Sequence, residues 1–210
     1  MTRIAVIDYG IGNLASAQKA FLHLGVDAAL TADRDVITAA DGVVLPGVGA
    51  FGACMAALQA SGLQEVALHA ASGTRPFLGV CVGMQMLFAA SEESPAAHGL
   101  GVLPGTIRRL PPTVKLPQIG WNTVDVAAGS TMFAGAGDAP WFYFVHSYAP
   151  SGCPDDIVAG WCEHGTRFPC AVERGPVWAT QFHPEKSGPA GLALLGNFVQ
   201  MCETAASPVR

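Results

Sequence analysis

Residues 77–88 of the chain, FLGVCVGMQMLF, contain a single cysteine between a short apolar run and a helical pattern. The run at 77–80 has the length and composition of a buried strand in a parallel sheet, and the residues after Cys81 show helical spacing. Gly79 and Gly83 flank the cysteine in the pattern G-x-C-x-G, the thiol counterpart of the G-x-S-x-G nucleophile elbow. The stretch therefore predicts an α/β fold with a cysteine nucleophile above the carboxyl edge of a sheet.

The chain on either side of this elbow indicates the same fold class. In the first half, apolar runs alternate with helical patterns, as in a strand at 3–9 followed by a helix at 13–25. Such alternation predicts βαβ units and a mostly parallel open sheet with right-handed crossovers. After about Gly99, short strands between Gly and Pro turns predict antiparallel additions, closed by a helix at 191–205. No repeat or linker divides the chain, so we expect one domain over 1–210.

The composition argues against several classes of partner. Only 13% of the 210 residues are charged and the formal net charge is −5, which disfavours nucleic acid and anionic membrane surfaces. No apolar run approaches the ~20 residues needed to span a bilayer. The first ten residues, MTRIAVIDYG, lack the features of a secretion signal, so we expect a cytoplasmic protein. In that reducing compartment the six cysteines, which include no C-x-x-C pair, are expected to be unpaired and mostly buried.

A thiol nucleophile needs a general base, and His183 is the histidine with informative neighbours. The segment WATQFHPEKSG reads as an apolar strand that ends at His183, with Pro184 breaking it. Because sites assemble at the carboxyl ends of strands in βα units, His183 and Cys81 can share one rim. Glu185 can then hold the imidazole tautomer and stabilise the imidazolium, as the acid of a catalytic triad does. The H-x-E spacing lacks the further ligands of a zinc site, so we expect no metal.

A second pattern favours a different class of protein. Residues 10–15, GIGNLA, follow a strand, open a helix and fit G-x-G-x-x-A, the pattern of a dinucleotide-binding turn. Asp27 follows this turn at about the spacing of the acidic residue that contacts the ribose in dinucleotide-binding proteins. The rest of the sequence supplies no substrate-reducing site, which weighs against this hypothesis. A dinucleotide-binding protein remains the alternative from another functional class.

Several motifs resemble those of class I (triad-type) glutamine amidotransferases. Three are shared with that family in general: LPGVGAFG at 45–52, LGVCVGMQML at 78–87 and QFHPEKSG at 181–188. Three more are similar to the glutaminase subunits of imidazole glycerol phosphate synthases: IDYGIGNL at 7–14, KLPQIGWN at 115–122 and YFVHSY at 143–148. The resemblance spans nearly the whole chain and implies a flavodoxin-like three-layer fold.

The resemblance implies a mechanism that needs no cofactor. Cys81 would attack the side-chain carboxamide of glutamine, and His183 would protonate the departing nitrogen. Water activated by His183 would then release glutamate from the γ-glutamyl thioester. Glu185 would orient His183 throughout, and ammonia would be the second product.

The resemblance also implies which groups bind the oxyanion and the substrate. The oxyanion would be received by the backbone N–H of Val82 and by one N–H of the turn at 46–49, that of Val48 or of Gly49. Losing one such donor typically costs ~10²–10³ in rate, so the conformation of this glycine-rich turn can act as an on–off control. The amino and carboxylate ends of glutamine would be held by four residues: Gln85, His146, Ser147 and Tyr148.

Ammonia is useful only near an acceptor, and the sequence shows no Walker-type loop or second domain to hold one. The resemblance implies that the acceptor is a separate (β/α)₈ cyclase subunit in a heterodimer. That partner would use ammonia to make imidazole glycerol phosphate and an aminoimidazole carboxamide ribonucleotide in histidine biosynthesis. Trp121 and Asn122 would contact it, and Asn13 lies on the same predicted rim. The glutaminase of vitamin B6 synthesis is the alternative within the family, and the identity of the partner separates the two.

Overall fold

Strands and helices alternate in the first half of the chain, and strands predominate in the second. The structure is a computed structural model that describes residues 1–12, 14–137 and 139–206. The strands are β1 (Arg3–Ile7), β2 (Asp27–Thr31), β3 (Gly42–Gly47), β4 (Phe77–Cys81), β5 (Thr106–Arg109), β6 (Gln118–Thr123), β7 (Asp125–Val126), β8 (Trp141–His146), β9 (Tyr148–Ser151), β10 (Val158–Glu163), β11 (Arg167–Arg174) and β12 (Val177–Thr180). The helices are α1 (Leu14–His23), α2 (Arg34–Ala39), α3 (Phe51–Ala60), α4 (Gln64–Ser72), α5 (Val82–Met86) and α6 (Gly188–Ala206). Short 3-10 turns lie at Asp155–Ile157 and Pro184–Lys186. Within these described ranges, no helix is both long enough and apolar enough to cross a membrane.

The main sheet of the described residues has eight strands in the order β2-β1-β3-β4-β12-β11-β10-β7. The first five in that order run parallel to one another. The last three are antiparallel to their neighbours. The order β2-β1-β3-β4, followed by a fifth parallel strand, is that of flavodoxin-like doubly wound sheets. The predicted fold class, a parallel sheet with antiparallel additions in the second half, is confirmed.

Helices cover both faces of this sheet. Because β1-α1-β2 and β2-α2-β3 run in opposite directions along the sheet, right-handed crossovers put α1 and α2 on opposite faces. Helix α6 packs beside α1, where the ring centroids of Phe21 and Phe198 lie 6.1 Å apart, and α4 packs beside α2. The result is a three-layer arrangement in which one continuous apolar core fills the space between the layers.

Two antiparallel pairs lie outside the main sheet, β5 with β9 and β6 with β8. The second pair, called here the β6–β8 ribbon, turns Phe142 and Phe144 inward. The ring of Phe142 stacks on that of Phe182, with centroids 4.1 Å apart, so the ribbon packs directly on the segment that follows β12. That segment differs from the prediction: β12 ends at Thr180 and not at His183. At the point where the strand ends, the Thr180 hydroxyl donates to the Phe182 carbonyl at 3.1 Å.

Candidate active site

Cys81 lies at the junction of β4 and α5 in a strained backbone conformation. Its φ of 57° makes it the one non-glycine residue with positive φ in the described part of the chain. Such strain is typical of a nucleophile elbow, since the sharp turn lifts the side chain above the edge of the sheet. Helix α5 is a single turn, shorter than the helical pattern suggested, because Phe88 already pairs with Leu103 in a β-bridge.

The glycines around the elbow are required by backbone-to-backbone packing. A Cβ at Gly83 would overlap the carbonyl oxygen of Leu45, and one at Gly79 would lie 3.0 Å from the carbonyl oxygen of Gly83. A Cβ at Gly47 would lie 2.7 Å from the amide nitrogen of Gly83. Gly47 also pairs with Cys81 across β3 and β4. The elbow and the turn after β3 therefore touch through their main chains, which only residues without a side chain permit.

His183 and Glu185 lie together beside the nucleophile. Nδ1 of His183 is 2.8 Å from Oε1 of Glu185, and both side chains are buried. Burial alone would lower the pKa of His183, but hydrogen bonding with Cys81 and with Glu185 outweighs it and raises that pKa to about 10. The ring is therefore an imidazolium at neutral pH, between a carboxylate and the nucleophile. The structure thus brings together the three residues predicted to be catalytic.

Gln181, for which the sequence predicted no role, contacts Cys81 through its side-chain amide. Its Nε2 lies 3.8 Å from Sγ of Cys81, and its Oε1 accepts from Nε2 of Gln85 at 3.0 Å. The Gln85 amide also donates to the carbonyl of Tyr148 at 3.1 Å. These bonds join the sulfur, α5 and the segment at 146–148 in one network. In the sequence, Gln181 is indicated only as the first residue of the motif QFHPEKSG, two residues before His183.

His146 uses both ring nitrogens within the protein. Its Nδ1 lies 2.9 Å from the carbonyl oxygen of Tyr148, and its Nε2 lies 2.9 Å from Oε1 of Gln118. Burial lowers its pKa to about 4, so the ring is neutral at physiological pH and only one of these two nitrogens carries a proton to donate. His146 therefore supports its own loop, and it lines the cavity together with Ser147 and Tyr148.

One cavity of about 390 Å³ connects these groups. Cys81 and His183 line it together with all the residues predicted for the oxyanion and for glutamine: Val48, Gly49, Val82, Gln85, His146, Ser147 and Tyr148. No acceptor among the described residues receives the N–H of Val48 or of Gly49, so both donors are available to a ligand. The lining also includes one acidic and one basic residue for which the sequence predicted no role, Glu93 and Lys186.

Glu93 is bonded to the protein through one carboxylate oxygen while its side chain lines the cavity. Its Oε2 accepts from the N–H of Phe51, at the start of α3, at 2.7 Å. The neighbouring Glu92 points elsewhere: it accepts from the N–H of Arg109 at 3.0 Å and pairs with Arg108. In the sequence SEES the two carboxylates are equivalent. Only the tertiary structure distinguishes them.

The predicted partner-contact residues have different surroundings. Trp121 is 52% exposed on the outer face of the β6–β8 ribbon, with its ring edge-on to Tyr143 at 6.0 Å. The side chain of Asn122 donates to the carbonyl of Glu163 at 3.0 Å, so its amide is used within the chain. Asn13 lies outside the described residues.

The residues of the hypothetical dinucleotide site do not come together. Gly10 and Gly12 follow the carboxyl end of β1, whereas Asp27 begins β2 and pairs with Arg3 at the amino end. A ribose contact would need the acidic residue at the same edge of the sheet as the glycine turn. Asp27 is at the opposite edge, so that prediction is wrong. The described residues also contain no group of three or more His, Cys, Asp or Glu placed to hold a metal ion.

Comparison with known proteins agrees with this geometry. The chain matches the family model described as glutamine amidotransferase class-I over residues 5–202. It is 51% identical over 201 residues to imidazole glycerol phosphate synthase subunit HisH of Mycobacterium bovis, covering 93% of this chain and 96% of that one. It is 48% identical over 200 residues to the subunit of the same name from Methanothermobacter thermautotrophicus, covering 94% and 98%.

Two solved structures share the fold. One is described as a glutamine amidotransferase and has a TM-score of 0.74 at 18% identity, covering 95% of this chain and 98% of that one. The other is described as a candidate GMP synthase protein from Thermoplasma acidophilum, with a TM-score of 0.69 at 24% identity, covering 97% and 95%. At these identities the likeness shows the architecture alone.

Proposed function

The chain belongs to the class-I glutamine amidotransferase family, and from that premise we propose that it is the glutaminase subunit of an imidazole glycerol phosphate synthase. It releases ammonia from glutamine and passes it to a separate cyclase subunit in histidine biosynthesis. The proposal rests mainly on one observation: a strained cysteine, a buried histidine–glutamate pair and free backbone N–H groups line or adjoin a single cavity. The names of the relatives, which are subunits, support a partner.

The reaction begins with attack on the carboxamide carbon of glutamine. Because Nδ1–H of His183 donates to a carboxylate and the ring is an imidazolium, Nε2 already holds the proton given up by the thiol of Cys81. The thiolate then forms the C–S bond, and the carbonyl oxygen gains negative charge. The N–H of Val82, with that of Val48 or Gly49, stabilises this charge, and each such donor is worth ~10²–10³ in rate.

The tetrahedral intermediate breaks down when the imidazolium of His183 gives its proton to the nitrogen, which leaves as ammonia. A γ-glutamyl thioester on Cys81 remains. Water attacks this thioester with His183 as the base, and glutamate leaves as the thiolate of Cys81 and the imidazolium of His183 are restored. Glu185 stabilises the imidazolium in both halves of the reaction.

Free glutamine carries an ammonium and a carboxylate that the cavity has to recognise. Glu93 is the acidic side chain in the cavity lining, so it receives the ammonium group in a charge-assisted hydrogen bond. Ser147 and Tyr148 receive the carboxylate. Gln85 is bonded to Gln181 and to the Tyr148 carbonyl, so it fixes the position of the segment at 147–148 relative to Cys81.

An exposed apolar surface adjoins the cavity and is the proposed contact for the cyclase subunit. The outer face of the β6–β8 ribbon carries four large exposed hydrophobic side chains: Ile119, Trp121, Trp141 and Val145. Val145 also lines the cavity, so this surface reaches the mouth of the site. Aromatic side chains are enriched at the centres of protein interfaces, and tryptophan is prominent among hot spots. Ammonia released at Cys81 therefore leaves next to the bound partner.

Glutamate release tests the proposal. Wild type, Cys81→Ala and Cys170→Ala are each assayed alone and then together with the cyclase subunit in the presence of its nucleotide ligand. Cys170 is a fully buried thiol on β11, outside the cavity lining, and serves as the matched control. We expect release that depends on partner and ligand, vanishes in Cys81→Ala and persists in Cys170→Ala.

The other outcomes divide the proposal into its parts. Release by wild type that is indifferent to the partner would leave Cys81 catalytic and refute the assignment to this synthase. Release that persists in Cys81→Ala would refute the thioester mechanism. No release by wild type under any condition would refute the glutaminase function.

A further inference from the structure

Two buried side chains hold the turn at residues 46–49, called here the oxyanion turn. The hydroxyl of Tyr9 donates to the carbonyl of Pro46 at 2.8 Å, and the thiol of Cys54 donates to the carbonyl of Val48 at 3.2 Å. Tyr9 is 4% exposed and Cys54 is fully buried. Neither residue lines the cavity, so both hold the turn from the core.

Both groups are hydrogen-bond donors at neutral pH. Burial raises the pKa of the Tyr9 phenol, and the nearby Cys54 raises it further. Burial also raises the pKa of the Cys54 thiol and exceeds the opposing effect of its hydrogen bonds. Since a carbonyl can only accept, a protonated phenol and a protonated thiol are what these two contacts require.

Cys54 is itself attached to a fixed element. It lies in the first turn of α3, whose N-terminal N–H groups are bonded to side chains of another segment. The N–H of Phe51 donates to Glu93 at 2.7 Å, and the N–H of Gly52 donates to Ser94 at 3.2 Å. The thiol therefore holds the oxyanion turn to a helix whose N-terminus is itself bonded to Glu93 and Ser94.

The two contacts determine the direction of peptide groups beside the nucleophile. In a planar trans peptide, C=O and N–H point in opposite directions. Holding the carbonyl of Val48 toward Cys54 therefore turns the N–H of Gly49 away from the core. The N–H of Val48 belongs to the peptide group between residues 47 and 48. The peptide groups on either side of it contain the two bonded carbonyls, so its own orientation is restricted from both sides.

We propose that Tyr9 and Cys54 are positioning residues that keep the N–H groups of the oxyanion turn directed at the carbonyl oxygen of glutamine as it gains charge. This role rests on the proposed glutaminase function. The two side chains act through the backbone of the turn and contact neither the substrate nor the reacting atoms. Because an oxyanion donor works only when it is already in place, loosening either contact weakens transition-state stabilisation and leaves substrate binding intact.

Four variants test this role in the complex with the ligand-bound cyclase subunit. Cys54→Ala and Tyr9→Phe each remove one donor, Cys54→Ser keeps a donor, and Cys202→Ala removes a fully buried thiol from α6 as the matched control. We expect kcat to fall about 3- to 30-fold in the first two, a fraction of the loss of a whole oxyanion donor, with KM within about twofold of wild type. Cys54→Ser recovers most of the kcat, and Cys202→Ala matches wild type.

A second readout does not depend on catalysis. In ¹⁵N-labelled protein, the amide signals of Val48 and Gly49 are single and sharp in wild type, Cys54→Ser and Cys202→Ala. In Cys54→Ala and Tyr9→Phe we expect these signals to shift and broaden as the turn samples other orientations.

Each combination of results decides between alternatives. Wild-type kcat and unchanged amide signals in both Cys54→Ala and Tyr9→Phe would overturn the role. A loss of kcat reproduced by Cys202→Ala would also overturn it, because the effect would then belong to the core in general. Amide signals that respond as expected in a protein that releases no glutamate would support the contacts and refute the glutaminase function alone.

Discussion

The protonation state of His183 is decided by its two neighbours. Burial favours the neutral ring, but bonding with Cys81 and with Glu185 raises its pKa to about 10, above the ~6.5 of a free histidine. The folded state therefore binds this proton more tightly than the unfolded state does. The resulting stabilisation is fully present below pH ~6.5 and is lost as the pH rises through about 10.

Replacing Glu185 by glutamine removes one of the charges that hold this proton. In Glu185→Gln we expect the pKa of His183 to fall, so the alkaline limb of the pH–kcat profile moves to lower pH. We also expect kcat to drop by about 10²–10⁴, the usual contribution of a positioned acid–base group. The measurement is the pH profile of glutamate release in the complex, with Glu65→Gln on the surface of α4 as the control. An alkaline limb at the same pH as in wild type would show that Glu185 does not set the charge of His183.

At the scale of elements, the site depends on contact between the elbow and strand β3. Gly83 fits against the carbonyl of Leu45, and Gly47 fits against the amide of Gly83. Strand β3 leads into the proposed oxyanion turn, and β4 ends at Cys81, the proposed nucleophile. The distance between the two is therefore set by main-chain packing and not by flexible side chains.

Gly83→Ala tests this packing because its Cβ has no free space. We expect a loss of about 3 kcal/mol in the free energy of unfolding, at the upper end of overpacking effects, since backbone atoms must move. The matched control is Gly196→Ala in α6, where a Cβ meets nothing within 4 Å. That substitution should stabilise the protein by about 0.5–1 kcal/mol through helix propensity. Urea unfolding measures both, and equal stability of the two variants would contradict the close approach of elbow and strand.

At the scale of the whole molecule, the β6–β8 ribbon joins the active-site cavity to an apolar surface. Its inner face packs through Phe142 on Phe182, one residue before His183. Its outer face exposes Trp121 and Trp141, at 52% and 56%. The ribbon is also bonded directly to His183, whose backbone N–H donates to the carbonyl of Tyr143 at 2.9 Å.

The double substitution Trp121→Ala and Trp141→Ala removes the largest side chains of that surface. We expect the dissociation constant for the cyclase subunit to rise about 10- to 100-fold, as for the loss of interface hot spots. Calorimetric titration measures the affinity, and Leu68→Ala, which removes an exposed apolar side chain from α4, is the control. Unchanged affinity in the double variant would mean that the partner binds elsewhere.

The sequence by itself determined the fold class and the three catalytic candidates. These follow from local patterns: alternating strands and helices, the G-x-C-x-G elbow around Cys81, and the close spacing of His183 and Glu185. Local patterns suffice there because secondary structure depends on residues that are close in the sequence. The parallel arrangement of strands then follows from the right-handed crossovers that connect them.

Only the tertiary structure decided which other side chains face the site. Glu93 and Glu92 are adjacent and identical in type, yet one lines the cavity and the other binds the backbone of a distant strand. The bond between Gln181 and Cys81 spans 100 positions of the chain, and that between Tyr9 and Pro46 spans 37. Such contacts depend on how the layers pack, and no periodicity within a segment encodes which residue of another segment it will meet.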